Sequence, residues 1–162
     1  MAGKRDIAWV ADQVVTTMQS KLVAKIDSLD AEYNDGIILE DIPNDLMFTS
    51  EKINPVGFPL FAVLGERTDL HPFDGQERYG LEHHFLTVAI ALISRGEPEE
   101  ILSRRTKRTV RAVEEVLIEN RTLLSEVNDV ILLDKEYSPI VAEENNPNFM
   151  QEGQIRIRVE TM

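Results

Sequence analysis

The chain contains no cysteine. That excludes a disulfide framework, thiolate metal ligation and a cysteine nucleophile, and it suits assembly in a reducing cytoplasm. Long apolar runs are missing too. The longest, residues 86–93, is interrupted by Thr87 and falls far short of the roughly 20 residues that span a bilayer. Residues 1–5 lead into Asp6 and an amphipathic pattern without an apolar segment, so no signal peptide is expected. Positive charge is scarce, with 17 Lys and Arg against 29 Asp and Glu and a net charge of −12. Such a balance lacks the footprint of a DNA-binding protein, whose affinity comes from cations neutralising phosphates. No Gly-x-Ser-x-Gly, Gly-x-x-x-x-Gly-Lys or Gly-x-Gly-x-x-Gly occurs, so neither a nucleophile elbow nor a phosphate-cradling loop is expected. Carboxylate pairs abound, but among 29 acids any one pair says little about acid–base chemistry.

What is present reads as one α+β domain over residues 1–162. Hydrophobic residues make up 43% and charged residues 28%, a globular composition, and a chain of this size buries roughly two-thirds of its unfolded surface. Ile7, Val10, Ala11, Val14, Val15, Met18, Leu22, Ile26 and Leu29 recur at helical spacing and predict a helix over residues 6–33. Trp9 lies off that stripe. Asn34-Asp35-Gly36 should end the helix, with Gly36 as its left-handed cap. Residues 35–57 form an acidic connection in which Ile37-Ile38-Leu39 can pair as a short strand. Residues 58–65 read as a buried strand, 66–78 as a long polar hairpin loop, and 79–94 as the longest strand.

Gly96-Glu97-Pro98-Glu99-Glu100 then opens a helix over residues 98–122. Pro98 suits its first turn, and the glutamates suit its positive dipole end. Residues 127–142 read as a strand bent at Ser138-Pro139, and residues 143–147 as a turn. In the last strand Ile155, Ile157 and Val159 face one way, while Arg156, Arg158 and Glu160 face the other. The expected architecture is an antiparallel four-stranded sheet with two helices on one face, in the order α-β-β-α-β-β.

Two groups of side chains could carry chemistry. His83 and His84 are neighbours on a strand and point to opposite faces, so they cannot share a metal. Glu82 and His84 share a face near His71, yet nothing in the sequence fixes the geometry that zinc requires, and no metal or cofactor is expected. Charge is also segregated. Residues 27–51 hold eight acids and no Lys or Arg, and residues 101–113 hold five cations (Arg104, Arg105, Lys107, Arg108 and Arg111) and no acid. Arg104, Lys107, Arg108 and Arg111 are the candidate subunit-interface residues, since blocks of opposite sign can pair between subunits. Solvated helix faces are the plainer alternative.

Within residues 58–121 the wording becomes specific: a Phe-Pro-x-x-x-x-x-Gly strand from Phe58 to Gly65, Arg-Tyr-Gly-Leu-x-His entering the long strand at Arg78, and Glu-Pro-Glu-Glu opening the helix at Glu97. This stretch resembles the tail terminator, or tail completion, proteins of long-tailed bacteriophages. The resemblance implies a non-enzymatic virion protein in the tail or neck, assembled in the host cytoplasm. It implies a ring, usually a hexamer, that caps the tail tube and joins it to the head. The partners implied are other copies of the chain, the tail tube protein and a head or neck connector. DNA would pass in transit without specific binding, and no membrane is involved. Another neck or head-completion protein is the alternative within the virion; a cytoplasmic α+β ligand-binding module is the alternative outside it.

Overall fold

Helix α1 (Ile7–Tyr33) begins where Asp6 caps it, its carboxylate accepting the Trp9 N–H at 2.9 Å. In the computed structural model, residues 6–50, 57–72, 79–142 and 148–161 are described. The predicted apolar stripe of α1 is buried from Val10 to Leu29, and Trp9 packs against the edge of that core. Asn34, not Gly36, takes the left-handed cap conformation, with φ and ψ both 44°. Asn tolerates that region because its short polar side chain bonds locally; Gly36 has positive φ as well, two residues further on.

The sheet departs from the expected one. Among the described residues, six strands form a mixed sheet: β1 (Met47–Phe48), β2 (Leu60–Pro72), β3 (Tyr79–Ile93), β4 (Asp129–Tyr137), β5 (Val141–Ala142) and β6 (Phe149–Thr161). The spatial order is β1-β2-β3-β6-β4, with β5 also pairing β6. β1 runs parallel to β2, and every other pairing is antiparallel. The α-β-β-α-β-β order therefore becomes α1, β1, β2, β3, α2 (Glu99–Glu119), β4, β5, β6. Two causes account for the extra strands. A 3-10 turn at Asn44–Leu46 swings Met47 and Phe48 alongside β2, in a segment too short for sequence periodicity to mark. The bend at Ser138-Pro139 separates β5 from β4.

Ile37-Ile38-Leu39 forms no strand; Leu39 is instead held by its N–H donating to the Asp30 carboxylate at 3.1 Å. The expected hairpin loop is also shorter than its polar composition suggested. β2 continues through Pro72, passing a register shift between Gly65 and Arg67, and Thr68 to His71 pair with His84 to Leu81. Residues 73–78, where the loop tip was expected, lie outside the described residues, as do residues 51–56 of the acidic connection and the turn at 143–147.

Both helices cover one face of the sheet. Leu86, Val88, Ile90 and Leu92 of β3 point to that face with Phe61 and Val63 of β2 and Ile155, Ile157 and Val159 of β6, each at most 1% exposed. Close approach is set by two glycines on the same face. A Cβ on Gly65 would lie 2.8 Å from Ile7 Cγ1 of α1, and one on Gly153 would collide with Val110 Cγ2 of α2. Thr17, Thr106 and Thr109 are buried in the helices because each hydroxyl donates to the carbonyl four residues earlier. No described element covers the opposite face, where Leu60, Leu64, Phe85 and Ile131 are half-buried among charged side chains.

Candidate functional site

The basic block sits on α2, which starts where Gly96 (φ 85°) turns the chain and Pro98 takes the N-cap position. Its buried residues, from Leu102 to Leu117, fix the helix rotation, and the cations fall around the flank facing α1 and outward. The acidic block leaves the C-terminal end of α1 and runs past that flank. The two blocks meet within one chain.

Arg108 is the clearest case. Its guanidinium forks onto the Asp35 carboxylate at 2.9 and 2.5 Å and stacks on the Tyr33 ring with its carbon 3.8 Å from the centroid. The hydrogen bond from Arg108 holds the Asp35 carboxyl down to about 2, and the same bond raises Arg108. Arg111 donates to the Tyr33 hydroxyl at 2.6 Å and lies 3.5 Å from Glu32 and 3.3 Å from Glu115. Arg104 pairs with Glu100 one turn back at 2.7 Å. Lys107 is exposed and has no ion pair among the described residues. Of the four candidate residues, Arg108 and Arg111 are thus engaged with α1 and the connection, while Arg104 and Lys107 point to solvent.

Arg105, which the sequence placed in the cluster but not among the candidates, proves the most buried cation among the described residues, at 5% exposure. It binds Glu97 through one nitrogen and Glu40 through another at 3.0 Å. Arg95 reaches the same Glu40 at 3.1 Å and donates to the Phe58 carbonyl at 3.0 Å. Burial alone would raise the Glu97 carboxyl. Hydrogen bonds from the backbone N–H groups of Glu97 and Arg95, together with Arg105, outweigh it and hold the group below its ordinary range. A shallow groove of about 330 Å³ lies over this network, lined by Ile37, Ile38, Ile101 and the charged residues themselves. Spacing could have marked Arg105, since it follows Leu102 by three and precedes Thr109 by four on the inward side of the helix.

No group of three or more His, Asp or Glu placed to hold a metal ion occurs among the described residues. His84 is fully buried, and both its ring nitrogens are taken by hydroxyls, Nδ1 by Thr68 at 2.8 Å and Nε2 by Thr161 at 3.0 Å. Burial pushes its pKa down against the upward pull of Glu82 and Asp6, so the ring is neutral at pH 7. His83, on the other face as expected, meets Glu160 at 3.1 Å. The side chain of His71 lies outside the described residues.

Ion pairing inside the chain is extensive. Of the 13 Lys and Arg among the described residues, ten pair with a carboxylate of the same chain. The surplus charge at the surface is therefore anionic. No helix among the described residues is long and apolar enough to cross a membrane.

No protein-family model and no curated protein matches the chain. Among solved structures, the chain is similar to one described as the virion of a native gene transfer agent particle. The match has a TM-score of 0.33 at 10% identity and covers 88% of this chain and 94% of the other. A likeness that slight carries no argument about activity or partners. The fold is shown as α+β, with two helices on a mixed six-stranded sheet among the described residues.

Proposed function

We propose that this chain is a virion structural protein, a tail-terminator-like subunit that closes into a ring, most simply a hexamer, where a bacteriophage tail meets the head. The ring would terminate the tail tube, contact the tube protein and a neck connector, and let DNA pass without gripping it. The observation that carries this reading is where the family's wording falls in the fold. Phe58-Pro59 leads into β2, Tyr79-Gly80-Leu81 opens β3, and Glu97-Pro98-Glu99-Glu100 turns into α2. The resemblance thus follows element boundaries of this structure and is not scattered through it.

The candidate interface keeps Arg104, Lys107, Arg108 and Arg111 but divides their work. Arg104 and Lys107 contact the neighbouring subunit, while Arg108 and Arg111 hold the subunit's own acidic connection in place. Exposed pairs are worth about 0–1 kcal/mol each, so the effect depends on repetition around the ring. The test is native mass measurement and negative-stain imaging of the purified protein, with a search for the chain in purified particles. Rings from the unaltered protein, weakened in the Arg104→Glu, Lys107→Glu double variant without loss of fold, are expected. A strictly monomeric protein absent from particles overturns the reading.

A further inference from the structure

Two surfaces on opposite sides of the subunit are left uncovered by the described elements. On the open sheet face, Phe85, Arg158 and Ile131 form one cross-strand row, and Arg67 stacks over Phe85 at 4.0 Å. Arg158 is half-buried and has no ion pair among the described residues. Its Nε is buried and finds no hydrogen-bond acceptor among the described residues. An unmet donor held away from water is a standing cost to the isolated subunit. Neighbouring Arg156, by contrast, is already bound to Asp134.

The second surface is the outward side of α1. Thr16, Ser20, Val23, Ala24, Asp27 and Ala31 are all exposed there, Val23 by 48%. Asp27 is the one charge in that set, and it has no ion pair among the described residues. Solvated helix faces ordinarily carry long charged side chains, and this set holds no Lys, Arg or Glu. Negative charge is in surplus at this end of α1. Burial first, and then Asp27 and Asp30, hold the nearby Asp41 carboxyl above its ordinary range.

We infer that the open sheet face of one copy seats on the outward face of α1 of the next, with Arg158 opposite Asp27. The inference rests on the ring reading above and says which faces make the ring. A second copy is the occupant because the chain supplies both halves: a flat, half-apolar sheet with a cation lacking its counter-ion, and a flat small-residue helix with an anion lacking its own. Lying on opposite sides of a two-layer subunit, the faces make a heterologous contact that repeats head to tail and closes into a ring when the rotation per step permits.

The experiment is a charge swap in the full chain, read by native mass measurement and by thermal unfolding of the dissociated subunit. Arg158→Glu and Asp27→Arg should each weaken assembly at least tenfold, and the double swap should recover most of that loss. Arg158→Met should weaken assembly while leaving the subunit's melting temperature unchanged or higher, because no intrachain partner is lost. Rings that persist in Arg158→Glu, or a double swap that fails to recover, overturn this inference and leave the ring reading standing. Intact rings that lose only their binding to the tail tube assign the face to another protein and overturn it as well. Unaltered protein that is monomeric at every concentration overturns the ring reading itself, and this inference with it.

Discussion

Gly153→Ala should destabilise the subunit through a single added methyl group. Gly153 sits in β6 opposite Ile90 and Tyr137, directly under α2. A Cβ there would collide with Val110 Cγ2 and come within 3.5 Å of two Tyr137 ring carbons. Val110 is fully buried and stiff at χ1, so it cannot swing aside, and α2 must lift. Overpacking of this kind costs about 1–3 kcal/mol. Relief of the strand glycine's entropic cost returns about 0.5–1 kcal/mol. The net loss is then centred on about 1 kcal/mol within bounds of about 0–2.5 kcal/mol, a drop of roughly 2–4 °C in melting temperature for a domain of this size. Val110→Ala alone removes two buried methyl groups and costs about 1.6 kcal/mol before any cavity term. In the double variant the new methyl fills the space the valine leaves, so the two losses should fall short of their sum by about 1 kcal/mol. Urea unfolding of the four proteins measures this. An unchanged or more stable Gly153→Ala, or strictly additive losses, refutes the packing argument.

Two further predictions concern protons. The Asp35 carboxyl is depressed to about 2 from an ordinary value of 3.8, so its contribution to stability is fully present above pH 3.8 and is lost as the pH falls toward 2. Acid titration of stability should therefore flatten in that window in Asp35→Asn, and an unchanged profile would contradict the Arg108 clamp. His84 is depressed below its ordinary 6.5, so its contribution is complete above pH 6.5 and declines as the pH falls below it, where the unfolded chain takes up the proton first. Proton NMR should place the His84 titration midpoint below 6.5, and a midpoint at or above 6.5 would refute the neutral, doubly hydroxyl-bonded ring.

Much of the architecture is legible from residue spacing, and the exceptions have identifiable causes. The stripe from Val10 to Leu29 and the alternation Ile155-Ile157-Val159 mark a helix and a strand because each buries a single face, and burial writes its period into the sequence. β1 has two residues and so no period. The outer part of β2, from Glu66 to Leu70, reads as loop because these polar residues line the exposed end of the hairpin, where pairing with β3 and not burial holds them. The candidate site was legible as two charged blocks but not as a contact, since sequence order does not say that the chain leaving Tyr33 doubles back along α2. Arg105 was hidden for another reason. Spacing puts it on the inward side of α2, but the pairing that lets a cation sit there is readable only once its carboxylates, 8 and 65 residues away in sequence, are known.

The place of β6 in the sheet also bears on how the molecule is made. It lies between β3 and β4, and β3 pairs with it from Glu82 to Ile93. During synthesis, β3 is complete well before its second neighbour exists. At about 5–20 residues per second, the intervening stretch of roughly 55 residues takes about 3–11 s to make. Throughout that interval one edge of the longest strand stands open, flanked by Leu86, Val88 and Ile90, and an unpaired edge of this kind invites pairing with another nascent chain. The net charge of −12 opposes such encounters, because like-charged chains repel one another.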